Sequence, residues 1–260
     1  MRTAEWTDSV SVLDRVTAIL DAIGADDRGI GISELSRRAN LPKSTVSRIV
    51  ADLVKRRYLE RDGNSIHLGF RLFELGQLAE HPRELREAAL PIMADLRSAS
   101  GEAVHLSVLE GGSIVVLAAL RGGAATSPPV RVGERLPAAA TASGKALLAH
   151  TTPEMVDALM ASARPEVASA AADTAALRQE LVATRQTGVA TARDDRAGPG
   201  LVAVASPVLS DRGEPLAAIA VSGVLDTNRV APAVRTAALT LSRRMGARQR
   251  PASGSATADH

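Results

Sequence analysis

The stretch from Ile32 to Glu60, ISELSRRANLPKSTVSRIVADLVKRRYLE, leaves little choice of local structure. Its apolar residues are Ile32, Leu35, Ala39 and Leu41, then Val46, Ile49, Val50, Leu53 and Val54, three to four apart with polar residues between. That spacing predicts two short helices, each burying one face. Ser33 is placed to cap the first by accepting backbone N–H bonds, and Asn40 stands at the turn, where a residue tolerant of the left-handed conformation is wanted. Pro42 opens the second helix, since a proline in the first turn forfeits only an N–H that has no intrahelical acceptor.

The exposed side of the second helix carries Lys43, Ser44, Thr45, Ser47 and Arg48, the donor-rich set that base edges and phosphates require near the start of a recognition helix. Arg37, Arg38, Lys55, Arg56 and Arg57 extend the basic surface, and Asp52 is the only acid between Arg37 and Arg57. A solvated helical hairpin whose charges serve only solubility is the plainer alternative; the order of features argues against it. Downstream, Tyr58 to Arg61 leads through Asp62-Gly63-Asn64, a hairpin-type turn, to Ser65-Ile66-His67-Leu68-Gly69, which predicts a small wing after the recognition helix.

A chain of 260 residues has length for two ordinary domains. Its formal charge of +2 would not by itself suggest nucleic acid, so the case rests on local concentration of charge. The absence of cysteine removes disulfides, thiolate metal sites and cysteine nucleophiles, and fits a reducing cytoplasm. MRTAEWTDSV has no apolar signal core, and no stretch approaches the roughly 20 apolar residues that span a bilayer. A cytoplasmic protein is expected.

Enzymatic signatures are missing: there is no GxSxG, no HExxH and no dinucleotide glycine pattern, and Gly144-Lys145-Ala146 lacks the upstream glycine and the Ser or Thr of a P-loop. His67, His81, His105 and His150 show no metal-ligand spacing. His105 and Ser107 share one strand face without an acid to complete a triad. No catalysis, metal or cofactor is expected.

Along the chain, Val12, Leu13, Val16, Ile19, Leu20 and Ile23 trace a supporting helix, with Ser9 or Ser11 as caps and Gly24 as its stop. Phe70 to Glu80 reads as a helix bearing Leu72, Phe73, Leu75, Leu78 and Ala79, more apolar surface than a small first domain can cover, and a dimer seam is one use for it. His81-Pro82 marks the boundary, and a helix from Arg83 to about Ser98 follows. The period then changes to two. Ala103–Leu109 and Ile114–Leu120 flank the hairpin signal Gly111-Gly112, and Leu201–Leu209 and Leu216–Val224 flank Asp211-Arg212-Gly213-Glu214. Helices start at Thr141, Thr152, Asp173 as a cap, and near Pro232, the last running to Met245. Strands mostly joined by hairpins and interleaved with helices make the second part α+β. The domains expected are a winged helix-turn-helix over 9–69, a linker helix over 70–81, an effector domain over 82–248 and a disordered tail over 249–260.

Three segments, LPKSTVSRIVADLVKRRYLER with GNSIHLG, VGERLPAAATASGKALLAH, and PGLVAVASPVLSDRGEPLAAIAVSG, together resemble the IclR family of bacterial transcription regulators. The resemblance runs from about Ser9 to Met245. It implies an N-terminal winged helix-turn-helix, a linker helix used in dimerisation and a C-terminal GAF-like domain that binds a small effector, working as a dimer or tetramer on partly palindromic double-stranded operators.

The turn at Thr141 to Lys145 gathers free N–H groups and a helix dipole at one spot, which favours a carboxylate; an ordinary capped helix is the alternative. The resemblance places the pocket at Ala142 and Ser143, the loop before Gly200, and Ala203, Ala220 and Ser222. Alternation puts Ala220 and Ser222 on one strand face. Ala220 stands where metabolite-binding relatives commonly offer serine, Ala192 stands at an acidic loop position, and Asp194 or Asp195 is the candidate replacement. The effector expected is an organic acid or related metabolite, less polar than the smallest keto acids. The mechanism expected is allosteric control of operator occupancy; a DNA-binding, dimerising protein without ligand control is the alternative.

Overall fold

The computed structural model describes residues 11–24, 29–123, 130–161, 174–193 and 200–249. They form two compact units that part between Glu80 and His81.

In the first unit, α1 (Val12–Ile23), α2 (Ile32–Arg38) and α3 (Lys43–Lys55) precede a hairpin of β1 (Leu59–Asp62) and β2 (Ser65–Leu68), and α4 (Phe70–Gln77) follows. Ile19, Ile23, Leu35, Val46, Val50, Leu59 and Ile66 make the core. Ile30 bridges to Ile66, so the wing is tied back to the segment before α2. Ser11 and Asp14 cap α1 reciprocally, each side chain bonding the other's backbone N–H at 3.0 Å. Asn40 has φ 51°, the left-handed turn expected of it.

Three helix ends differ from expectation. Gly31, not Ser33, is the N-cap of α2, and Ser33 sits exposed in the first turn. Pro42 is the cap of α3 rather than its first helical residue, its carbonyl accepting from Val46 N at 3.0 Å. The helix expected over 70–80 stops at Gln77, and a second, α5 (Glu80–Ser100), begins almost at once. Pro82 suits the new start. In a continuous helix its ring would meet the carbonyl of Leu78, whereas in the first turn of α5 it displaces no hydrogen bond. His81-Pro82 therefore lies inside a helix. The apolar stripe of α1 is also covered only in part, since Val12 and Leu13 are about 70% exposed, at 71% and 70%.

In the second unit a six-stranded antiparallel sheet runs in the order β5-β4-β3-β8-β7-β6. The strands are β3 (Ala103–Glu110), β4 (Ser113–Leu120), β5 (Arg135–Pro137), β6 (Ala190–Arg193), β7 (Val202–Leu209) and β8 (Pro215–Gly223). One face, with Val104, Leu106, Val204, Val208, Ile219 and Val221, packs on α5 and on the last helix, α9 (Thr227–Gln249). The other carries Ala205, Ala218 and Ala220 against α6 (Ala142–Leu148), α7 (Pro153–Ala161) and α8 (Thr174–Thr187). Strand alternation thus yields three layers with a core on each side of the sheet.

Pro232 is not the start of α9 but lies within it; Asp226 begins the helix, its carboxylate accepting from Asn228 N at 3.0 Å. Asp173, the cap expected for α8, lies outside the described residues. The hairpin turns fall as expected, with φ 60° at Gly111 and 78° at Gly213.

The placement of α6 depends on Gly144. A Cβ there would stand 2.1 Å from the carbonyl oxygen of Ala138, so only glycine lets the helix start fold back on the 3₁₀ turn Ala138–Ala140. Gly144→Ala should cost the full chain ~3 kcal/mol of stability, against ~1 kcal/mol for Thr141→Ala, which loses only the cap to Gly144 N. Denaturant unfolding checks both, and a silent Gly144→Ala would show that the approach is not fixed.

Candidate functional site

On α3 the buried positions Val46 and Val50 face the core, which turns Lys43, Ser44 and Arg48 outward; Thr45 and Ser47 flank them half-buried. Lys55, Arg56 and Arg57 continue the exposed surface past the helix end. Arg57 takes φ 64°, and its carbonyl accepts from Arg71 N, which holds the chain turning into the wing. Among the described residues no carboxylate pairs with Lys43, Arg48, Lys55, Arg56 or Arg57. Unpaired cations on one exposed face suit a polyanion.

Arg37 and Arg38 stand differently. Glu34 accepts from Arg37 Nε at 2.8 Å and Nη2 at 2.6 Å, and from Arg38 Nε at 2.8 Å. Those hydrogen bonds hold the Glu34 carboxyl at a pKa of about 2, so it stays ionised throughout the physiological range. The sequence carried this signal in its three- and four-residue spacing from Glu34, but reasoning from positive charge alone passed over it.

In the second unit the register of the sheet determines which predicted residues meet. Residues directly opposite in an antiparallel pair share a face. One row across the sheet reads Ala192, Ala203, Ser222, Ala103, and the next reads Ala190, Ala205, Ala220, His105. A third reads Pro207, Ala218, Ser107, Val116. Ala203, Ala220 and Ser222 are thus brought together on the face that packs on α6, with Ala192 beside them. Ala142 and Ser143 lie in the buried first turn of α6. Within that turn Thr141 Oγ1 accepts from Gly144 N at 3.1 Å and Thr141 O from Lys145 N at 2.9 Å, leaving the N–H groups of Ala142 and Ser143 outside the helix ladder. Lys145 is turned away to an ion pair with Glu180 on α8. Asp194 and Asp195 lie outside the described residues.

The floor is nearly all methyl groups, and its hydroxyls stand out. Ser222 is 2% exposed and Ser107 fully buried, and neither Oγ has a hydrogen-bond partner. Leaving a buried hydroxyl unpaired costs about 1–3 kcal/mol. By contrast Ser206, on the opposite face, donates to Gly188 O at 2.8 Å. The resemblance pointed to Ser222 through the motif that contains it, but Ser107 was weighed only as part of a triad; its place beside Ala218 is a long-range pairing that spacing does not reveal. Among the described residues no group of histidine and carboxylate side chains is arranged to hold a metal, and no helix is long and apolar enough to cross a membrane.

Comparison with known proteins agrees with this architecture. Residues 12–63 match the IclR helix-turn-helix domain, and residues 77–243 match the C-terminal domain of bacterial IclR transcriptional regulators. The chain is 32% identical over 228 residues to the HTH-type transcriptional regulator BhcR of Paracoccus denitrificans, covering 85% of this chain and 80% of that one. It is 27% identical to the glycerol operon regulatory protein of Streptomyces coelicolor, covering 92% and 98%. Among solved structures, an IclR homologue from Microbacterium hydrocarbonoxydans complexed with 4-hydroxybenzoate superposes with a TM-score of 0.79 at 31% identity, over 91% of this chain and all (100%) of the other. With both its helix-turn-helix and its sensor-like unit matched, the chain belongs to the IclR family of transcriptional regulators.

Proposed function

We propose that this chain binds partly palindromic operator DNA as a homodimer or homotetramer in the cytoplasm, and that a small organic acid held in the second unit controls operator occupancy. The observation that carries this is the pairing, on one chain, of an exposed basic face without carboxylate partners and an alanine floor that holds a buried, unpartnered serine hydroxyl. In this reading Lys43, Ser44, Thr45, Ser47 and Arg48 read or position the duplex, Arg56 and Arg57 contact phosphates, Arg37 and Arg38 do so with their charge partly offset by Glu34, and no reaction is catalysed. Ala142, Ser143, Ala203, Ala220 and Ser222 hold the effector, with Asp194 as a further contact.

The methyl-rich floor supports an acid with an apolar body over glyoxylate-like acids, and the 4-hydroxybenzoate bound to the Microbacterium homologue supports an aromatic one. A protein without ligand control would gain nothing from leaving Ser222 unpaired. Pairing of copies is supported by the exposed apolar side chains of the first unit, Val12, Leu13, Phe70, Phe73 and Leu78, with the two phenylalanine rings 5.5 Å apart. Effector and operator must then be linked by a coupling free energy, each altering the other's affinity equally.

Fluorescence anisotropy on operator and random duplexes tests the DNA half. Arg48→Ala should weaken operator binding by about tenfold or more with a smaller loss on random DNA, whereas Arg56→Ala should weaken both and lower the salt slope by about one. Equal losses on both duplexes for Arg48→Ala would remove it as a base reader. Glu34→Gln, which releases two guanidinium groups, should tighten random binding and steepen the salt slope by about one to two; an unchanged slope would show that Arg37 and Arg38 lie off the DNA path. For the effector half, benzoate-like acids should raise the melting temperature and shift operator affinity. Preferential stabilisation by glyoxylate or tiny dicarboxylates would overturn the choice of ligand class.

A further inference from the structure

The effector site read above uses one hydroxyl of the floor, Ser222, and leaves another unexplained. Ser107 is fully buried, and its Oγ has no partner. Its neighbours across the sheet on either side, Ala218 and Val116, carry no side-chain acceptor, and the register with β4 shifts between Leu106 and Ser107. Nothing in the packing requires a hydroxyl. Ala103, Ala203, Ala205, Ala218 and Ala220 show that the same face accepts alanine at position after position. An alanine at 107 would avoid the cost of an unpaired buried polar group.

Ser222 and Ser107 stand two rows apart on adjoining strands of one face, with His105 on the row between, beside Ala220. Two rows are four residues, about 13 Å along the strands. Subtracting a hydrogen bond of about 2.8 Å at each end leaves roughly 7 Å between the groups that a single bound molecule would present to the two hydroxyls. Between them lie the methyl of Ala220 on β8 and the imidazole of His105 on β3, and α6 packs over this face, so the intervening body must be flat and apolar.

We infer that Ser107 is a specificity-determining contact of this same effector site, and that the site takes a flat organic acid with a second hydrogen-bonding group at the end opposite its carboxylate. This rests on the reading of the second unit as an acid-binding site. Ser222 faces the acid end, Ser107 receives the distal group, and His105 borders the body between them.

Calorimetric titration of the full chain with cinnamate and with 4-hydroxycinnamate tests the inference, because the two acids differ only in the distal hydroxyl. The wild type should bind the hydroxylated acid about tenfold tighter, the value of one hydrogen bond to an otherwise unpaired group. In Ser107→Ala that ratio should fall to near one, with a melting temperature no lower than wild type, while Ser107→Thr, which keeps a hydroxyl, should retain the preference. Ser222→Ala should weaken both acids together. Binding of both acids with no preference in the wild type, or a preference that survives Ser107→Ala, would overturn the role of Ser107 and leave the acid site standing. Binding of neither cinnamate, 4-hydroxycinnamate nor benzoate would overturn the acid reading and this inference with it.

Discussion

The second unit depends on β8 holding its register between β3 and β7. Because opposite residues share a face, pairing Ser222 with both Ala103 and Ala203, and Ala220 with both His105 and Ala205, fixes which small side chains lie side by side. A slip of one residue would send the alanines into the valine and isoleucine layer beneath α5 and α9 and bring Ile219 and Val221 under α6. The large side chains on one face thus enforce the small ones on the other. Gly144 completes the arrangement by letting the start of α6 lie against Ala138.

The first unit is organised on a simpler rule. A handful of aliphatic side chains from three helices and a hairpin form one core, and everything polar on α3 is what that core leaves outside. Burial of Val46 and Val50 orients Lys43, Ser44 and Arg48 without any interaction directed at those residues themselves. Orientation by exclusion suits a surface that must meet a partner, since no side chain there is consumed in holding the fold.

Much of this was legible in sequence because it is local. Periodicity gave the helices and strands, Gly111 and Gly213 marked their turns, Asn40 announced its left-handed backbone, and three separated motifs pointed to one family. Helix ends were less legible, for local reasons of another kind: Gly31 took the cap that Ser33 was chemically suited to, and Asp226 opened a helix expected to begin near Pro232. His81-Pro82 does mark where the two units part, but it does so from the first turn of a helix rather than from a break between helices. What the chain order could not reveal is pairing at a distance. That Ser107 lies beside Ala218, and both on the face of Ser222, follows from contacts more than a hundred residues apart in sequence.

The three-way contact of Glu34 with Arg37 and Arg38 bears on how such a protein searches a genome. Every chromosome offers a vast excess of irrelevant duplex, and each additional free cation deepens the hold of that excess on the protein. A carboxylate that remains ionised near neutrality and bonds two guanidinium groups lowers the net positive charge of α2 without touching the side chains at the start of α3. On the proposed reading such a clamp would trade raw grip for mobility, leaving more of the protein free to reach the few sites where sequence matters.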